Sequence, residues 1–252
     1  MKRAGVVVLA LAVCATVVSV AASAHAQITV YAAASLTDVF PKIDPSQKYS
    51  FGGSNMLAAQ IQFGAPADVF ASANMTLPNQ LYAKGLCSKP VVFTRNTLVI
   101  VVPKANPARI HSIYDLAKPG IKLVVAGSGV PVGSYTLQIL KNINLSSAVL
   151  KNVVSQETDV REVLSKVALG EADAGFVYAT DARTVRGQVT VIKVPAWAQP
   201  KVRYGMCVVT ASSHKSDGRA FVSRVLSKAG QAKLVAAGFL PRVKPVARTT
   251  KK

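Results

Sequence analysis

Short apolar runs alternate with amphipathic segments along most of the chain. The runs have the length of buried strands, and the segments between them repeat apolar residues every three or four positions, as helices do. This alternation predicts an α/β fold with a mostly parallel sheet covered by helices on both faces. The predicted strands cover residues 28–33, 49–51, 68–71, 98–102, 123–126, 174–178, 189–194 and 203–210. The predicted helices cover residues 56–63, 77–84, 134–143, 160–169, 218–228 and 231–237.

The N-terminal segment has the composition of an export signal. Two basic residues precede an apolar run over residues 6–22, and Ala24 and Ala26 supply the small side chains that a signal peptidase reads. The sequence therefore predicts a cleavable signal peptide over residues 1–26 and a mature periplasmic or other extracytoplasmic chain that begins at Gln27. A membrane anchor is the alternative, because the run approaches the lower length limit for a bilayer span.

The chain is strongly basic, with 30 Lys and Arg against 11 Asp and Glu. Removing the two basic residues of the signal leaves 28 basic residues and a net charge of +17. Such an excess raises a nucleic-acid hypothesis, but the basic residues are dispersed and no aromatic residues interleave with them as a stacking platform. The sequence therefore predicts no nucleic-acid partner. The one concentrated basic run, residues 240–252, is interpreted as a solvated terminus or as a tether to anionic envelope components.

Five stretches place small or polar residues where helices are predicted to begin. A helix start carries backbone N–H groups without intrahelical partners and the positive end of the helix dipole. Several starts that converge on one cleft would form an anion site without a metal or a lysine. The stretches are residues 32–37, 51–55, 130–135, 157–161 and 177–182.

The spacing and the amino-acid sequences of these stretches resemble those of the periplasmic molybdate-binding proteins that deliver substrate to ABC importers. The resemblance covers residues 28–239 and includes the segments 60–74, 98–103 and 230–239. Of these, Gln-Ile-Gln-Phe-Gly-Ala-Pro-Ala-Asp-Val-Phe-Ala-Ser-Ala-Asn (residues 60–74) is the most specific to the family.

The resemblance implies the type II periplasmic-binding-protein fold, in which two α/β lobes joined by two crossover strands hold the ligand in the cleft between them. It places the crossings near residues 103–107 and 200–205. The first lobe would then comprise residues 27–104 and 206–252, and the second lobe residues 105–205. The chain departs from the family pattern between Val39 and Tyr49, where its segment is shorter than the long first helix typical of the family.

The resemblance also implies a ligand set. The hydroxyls of Ser35, Ser54 and Tyr178, with the backbone N–H groups of Val132 and Val160, would bind molybdate or tungstate as a dianion. Donors alone suffice, so no cofactor and no metal cation are expected, and molybdenum enters only as its oxyanion. The expected partner is an ABC transporter permease, and the protein is expected to be monomeric.

Each of these side chains also has an ordinary structural interpretation. Ser35, three residues before Asp38, resembles a capping box for a helix that Pro41 would end. Ser54 follows two glycines and is compatible with a simple turn. Tyr178 ends an apolar strand, where a half-buried tyrosine is common. The coincidence of all the positions with the family pattern favours the binding interpretation.

Other functions fit the sequence less well. No G-x-S-x-G or H-E-x-x-H motif occurs, and His111 and His214 stand in no catalytic context, so no enzyme activity is predicted. The glycines of residues 127–133 have the wrong spacing for a dinucleotide site. The same fold could bind sulfate, phosphate or an organic acid, and a polyanion-binding surface protein is the remote alternative.

Two cysteines, Cys87 and Cys207, remain after Cys14 leaves with the signal peptide. An even number of cysteines in an oxidising compartment predicts a disulfide bond. The family fold supports this pairing, because it places both segments in one region of one lobe. Two small buried thiols are the alternative.

Overall fold

The computed structural model describes residues 26–242, which form two five-stranded sheets surrounded by helices. The strands are β1 (Thr29–Ala33), β2 (Lys48–Gly52), β3 (Val69–Ser72), β4 (Val91–Arg95), β5 (Leu98–Pro103), β6 (Leu123–Ala126), β7 (Val153–Glu157), β8 (Ala174–Tyr178), β9 (Val189–Lys193) and β10 (Arg203–Val208). The helices are α1 (Phe40–Ile43), α2 (Ser54–Gln62), α3 (Thr76–Ala83), α4 (Pro131–Asn142), α5 (Ser146–Leu150), α6 (Val160–Ala168), α7 (Ala179–Ala182), α8 (Lys215–Leu226) and α9 (Lys228–Ala236). Short 3₁₀ turns lie at Ala34–Leu36, Ile113–Ala117, Arg183–Val185 and Ala196–Ala198. Residues 1–25 of the predicted signal peptide and residues 243–252 of the basic tail lie outside the described residues.

Each sheet has four strands in one direction and one reversed strand. The first sheet has the order β2-β1-β3-β10-β4, and β10 pairs antiparallel with both neighbours. The second has the order β7-β6-β8-β5-β9, and β5 is the reversed strand. Both sheets are therefore mostly parallel, as the alternation predicts, and the chain forms two of them, as the resemblance implies. The fully buried apolar runs predict strands but carry no information about which sheet a strand joins.

The reversed strands are the first ones that the chain forms after it passes from one sheet to the other. β4 belongs to the first sheet and β5 to the second, so the first passage lies at Asn96 and Thr97. This corrects the predicted crossing at residues 103–107, and with it the lobe boundary at residue 104. Pro103 ends β5 but does not mark the passage, because β5 is already paired with β8 and β9 before it.

The second passage runs from the end of β9 to the start of β10 at Arg203, so Arg203, Tyr204 and Gly205 already belong to the first sheet. The lobe boundary predicted between residues 205 and 206 therefore moves to about residue 202. The two passages lie side by side, since the Asn96 N–H donates to the Val202 carbonyl at 3.4 Å. That the two lobes move about these passages stays a prediction.

Helix α6 shows how the sequence specifies the second lobe. Its buried residues Val160, Val163, Leu164 and Val167 recur at the spacing of one helical face. The Asp159 side chain caps the N-terminus by accepting the N–H groups of residues 161 and 162. The apolar face packs on the second sheet, so the start of α6 is fixed relative to β8.

The segment after β1 differs from the predicted Ser35-capped helix. Ser35 lies inside the 3₁₀ turn Ala34–Leu36, and its side chain caps no helix. Pro41 stands in the first turn of α1, where proline is tolerated, and does not end a helix. The capping interpretation of Ser35 is therefore wrong.

Cys87 and Cys207 are free thiols in the structure, and both are buried in one small apolar cluster. The backbone of Cys87 pairs antiparallel with that of Val209, two residues beyond Cys207, in an isolated β-bridge. The Cys87 Sγ atom lies 3.5 Å from the Pro78 carbonyl oxygen and donates to it. Contact with Cys87 and burial raise the pKa of the Cys207 thiol. The predicted disulfide is thus not formed in the structure, although the two side chains are neighbours.

Formation of this bond under oxidising conditions stays a prediction. Mass mapping of unreduced protein secreted from cells should recover the Cys87 and Cys207 peptides joined. Reduction should then lower the free energy of unfolding by about 2–4 kcal/mol. Two thiols that alkylate fully in the secreted, denatured and unreduced protein would contradict the bond.

Within residues 26–242, no helix has both the length and the apolar composition needed to cross a bilayer. Over the same residues, no group of three or more His, Cys, Asp or Glu side chains is arranged to hold a metal ion.

Candidate functional site

The five residues predicted to bind an anion line one pocket, which lies between the two sheets. Ser35 and Ser54 approach it from the first sheet. Val132, Val160 and Tyr178 approach it from the second. Three of the contributing segments are helix starts, at α2, α4 and α6. The geometry thus brings together residues that are up to 143 positions apart in the chain.

Ser54 begins α2, directly after β2. The cap residue is Gly53, which offers no side chain to the first N–H groups of the helix. Ser54 is buried, and its Oγ accepts the Ala73 N–H at 3.1 Å. Because that backbone group can only donate, the hydroxyl proton of Ser54 remains available to a ligand.

Helix α4 begins without a side-chain cap. Pro131 occupies its first turn and has no N–H group, so Val132 carries the first backbone donor of the helix. A side chain at Gly133 would overlap the Gly127 carbonyl oxygen, 2.1 Å from the position of its Cβ. Glycine therefore allows α4 to start directly against the loop that follows β6.

The side-chain cap of helix α6 does not include the N–H group of its first residue. Asp159 accepts the N–H groups of Arg161 at 2.6 Å and Glu162 at 3.2 Å, which leaves the N–H group of Val160 uncapped at the pocket. Burial raises the pKa of Asp159. The cap thus directs the start of α6 toward the pocket through Val160.

Tyr178 ends β8 with its side chain only 1% exposed. Its hydroxyl is buried and has no hydrogen-bond partner among the described residues, and its ring packs edge-on against Tyr204 at 5.6 Å between centroids. Burial raises the pKa of Tyr178 well above its usual value, so the hydroxyl keeps its proton. A buried donor without a partner carries an energetic cost that a bound acceptor would remove.

The pocket lining contains neither lysine nor arginine in the described part of the chain. Arg161, the residue after Val160, binds Asp38 of the first lobe and, at 2.7 Å, the fully buried Asp181 of the second. Positive charge beside the pocket is therefore neutralised by carboxylates. Among the described residues, the one charged side chain that lines the pocket is Asp159, whose Oδ1 accepts the N–H groups of residues 161 and 162. A ligand would therefore be held by neutral donors and not by a counter-ion.

Burial raises the pKa of Asp181 to about 7, although Arg161 acts in the opposite direction. The folded state then binds the proton more tightly than the unfolded state, so the contribution to stability is full below about pH 4 and is lost as the pH rises to about 7. Asp181→Asn should make the free energy of unfolding less dependent on pH across this window. Urea unfolding at several pH values checks this, and equal slopes for the two proteins would contradict it.

The sequence interpretation missed four residues at this site. Asp159 and Arg161 were within a recognised stretch, and the N-cap position of Asp159 before an apolar helix was the available signal. Asn96 lies on the first passage between the sheets and Tyr204 just after the second, and Tyr204 meets Ser35 and Asn96 only in the folded chain. No local pattern in the sequence marks them.

A donor-lined pocket between two α/β lobes is the architecture of a solute-binding protein. The model of the family described as bacterial extracellular solute-binding protein matches residues 28–240. The molybdate-binding protein ModA of Mycobacterium tuberculosis is 38% identical over 222 residues, which cover 84% of each chain. The chain belongs to this family of extracellular solute-binding proteins, among its ModA members.

Two solved structures share the fold at 21% identity each. The periplasmic molybdate-binding protein of Azotobacter vinelandii matches with a TM-score of 0.76 over 86% of this chain and 100% of its own. The sulfate-binding protein SubI of M. tuberculosis matches with a TM-score of 0.77 over 88% of both chains. The expected type II periplasmic-binding-protein fold is therefore confirmed. These two structures support the fold of the chain.

Proposed function

We propose that this protein captures molybdate, or tungstate, outside the cytoplasm and delivers it to the permease of an ABC importer. The observation that carries the proposal is the Tyr178 hydroxyl, a buried donor without a partner in a pocket shared with Ser35 and Ser54. The relatedness to ModA proteins supports the choice of molybdate. The signal peptide over residues 1–26 and the extracytoplasmic location belong to the same proposal.

The donors suit a dianion that carries no proton. The three hydroxyls and the N–H groups of Val132 and Val160 would each form a charge-assisted hydrogen bond, typically worth about 1.5–3 kcal/mol. A few such bonds, less the cost of ordering the lobes, give dissociation constants between about micromolar and nanomolar. Closure of the lobes around the ion would be the state that the permease reads.

Calorimetric titration of the mature protein with molybdate, tungstate, sulfate and phosphate tests this proposal. Molybdate and tungstate should bind tightly at one site per chain, and sulfate and phosphate far more weakly. Ligand at about a thousand times its dissociation constant should stabilise the folded protein by roughly 4 kcal/mol. Tight sulfate binding without molybdate heat would assign the pocket to sulfate instead.

Replacing Tyr178 with phenylalanine removes one hydroxyl and keeps the packed ring. Affinity for molybdate should fall by about 1.5–3 kcal/mol, which is roughly ten- to a hundredfold, because one charge-assisted donor is lost. The melting temperature of the ligand-free protein should not fall, since the hydroxyl has no partner there. Tyr114→Phe, on an exposed side chain of the second lobe, is the matched control. Equal affinities for the two variants would exclude Tyr178 from the ligand set.

A further inference from the structure

A hydrogen-bonded group of three side chains lies behind Ser35, on the side away from the pocket. The Tyr204 hydroxyl is 2.9 Å from Ser35 Oγ and 3.4 Å from Asn96 Nδ2. Asn96 Nδ2 also donates to Thr180 Oγ1 at 2.9 Å. All four side chains are buried. Asn96 lies on the first passage between the sheets and Tyr204 just after the second, so the two connections meet at Tyr204.

The direction of these hydrogen bonds follows from counting donors and acceptors. Asn96 Oδ1 accepts the Thr97 N–H at 2.9 Å, which turns the amide nitrogen toward Thr180 and Tyr204. The Tyr204 oxygen is thus an acceptor for Asn96. Its own proton can be donated to Ser35 Oγ at 2.9 Å or directed toward the neighbouring Tyr178 hydroxyl, and only the contact with Ser35 has hydrogen-bond geometry.

We infer that Tyr204 is a specificity-determining positioning residue, which donates to Ser35 and thereby turns the Ser35 proton into the pocket. This inference rests on the proposed function, because it concerns how that site chooses among oxyanions. Ser54 is set in the same way by the Ala73 N–H. On each serine a protein donor then occupies one lone pair and the proton is free for the ligand, so both serines favour a ligand atom that accepts over one that donates.

A site of this kind discriminates by the protonation of the anion. Sulfate and monohydrogen phosphate are dianions of nearly the same size, but only phosphate presents a proton that needs an acceptor. The ratio of their dissociation constants therefore reports on the orientation of the hydroxyls and cancels both size and charge. In the wild-type protein, the affinity for sulfate should be clearly higher than the affinity for phosphate, and both should be lower than the affinity for molybdate.

The test is competition of sulfate and of phosphate against molybdate at mildly alkaline pH, in the wild-type protein and in Tyr204→Phe. Without the tyrosine proton, Ser35 can rotate and accept. Sulfate and molybdate should therefore bind more weakly while phosphate is spared, so that the preference for sulfate over phosphate falls about tenfold or more. An unchanged ratio would overturn the inference.

A double-mutant cycle with Ser35→Ala separates positioning from general damage. If Tyr204 acts through Ser35, then Tyr204→Phe should not change the ratio further in the Ser35→Ala background. Tyr178→Phe is the matched control, because it removes a direct donor and should weaken sulfate, phosphate and molybdate without the same shift in ratio. If Tyr204→Phe still changes the sulfate-to-phosphate ratio in the Ser35→Ala background, Tyr204 acts through packing and the inference that it positions the Ser35 proton is wrong.

Asn96→Asp provides a second variant should Tyr204→Phe fail to fold. It replaces the donor amide by an acceptor, so the Tyr204 proton would turn away from Ser35. The added charge weakens both dianions alike, and the ratio should again fall; an unchanged ratio in this folded variant would also overturn the inference. Failure of the proposed function is distinguishable, because the wild-type protein would then bind no molybdate at all.

Discussion

Replacing Gly53 with alanine should weaken molybdate binding by about ten- to a hundredfold and leave the stability of the ligand-free protein nearly unchanged. Gly53 belongs to the first lobe, but a Cβ at this position would lie 2.3 Å from the carbonyl oxygen of Thr158, just before α6 in the second lobe. The overlap with Thr158 exists only while the lobes are together, and the other close atom, Asn55 Oδ1 at 2.9 Å in the first lobe, is the end of a side chain that can turn away. Alanine would therefore hold Val160 away from the donors of the first lobe.

The backbone of Gly53 itself does not require glycine. Its φ of −60° and ψ of 126° suit any residue. Alanine is a poorer N-cap than glycine but reduces the entropy of the unfolded chain, and these effects offset within about 1 kcal/mol. The neighbouring Gly52 has no atom within 4 Å of its Cβ position, so Gly52→Ala is the matched control. Calorimetry and thermal melts of both variants check the prediction, and equal molybdate affinities would contradict it.

The outline of both lobes could be predicted from the sequence because most strands are continuous apolar runs. Strands β6 and β8 begin and end where the pattern predicts them. Strands β4 and β7 were missed, since their outer positions are exposed or half-buried and the apolar signal shrinks to a few residues. Edge strands of this kind take their conformation from the neighbour they pair with.

The pocket was predictable to a similar degree and for a different reason. Helix starts are local features, so the positions of Ser54, Val132 and Val160 could be recognised before the fold was known. The partners of Ser35 could not, because Tyr204 is 169 residues away and reaches the serine only through the order of strands in the first sheet. The capping hypothesis failed for this reason: Asp38, its presumed partner, binds Arg161 across the cleft.

Arg161→Met should lower the free energy of unfolding by about 3–5 kcal/mol near pH 8. The substitution keeps much of the aliphatic bulk of the side chain but leaves the Asp181 carboxylate, which is fully buried, without its cation. Within residues 26–242, the second oxygen of Asp181 has no hydrogen-bond partner that would compensate. The loss should be smaller near about pH 5, because Asp181, with a pKa already raised to about 7 by burial, would take up a proton.

The double variant Arg161→Met with Asp181→Asn should recover most of that stability, since it removes the unpaired charge as well as its partner.

Asp38→Asn is the matched control for the other ion pair of Arg161. The Asp38 side chain is 50% exposed, so its loss should cost less than about 1 kcal/mol in the ligand-free protein. Because Asp38 joins the first lobe to Arg161 at the start of α6, Asp38→Asn should act mainly by speeding the release of molybdate. Urea unfolding of the variants at both pH values and stopped-flow release measure these effects. A double variant no more stable than Arg161→Met would show that the arginine stabilises the lobe by its packing and not by neutralising Asp181.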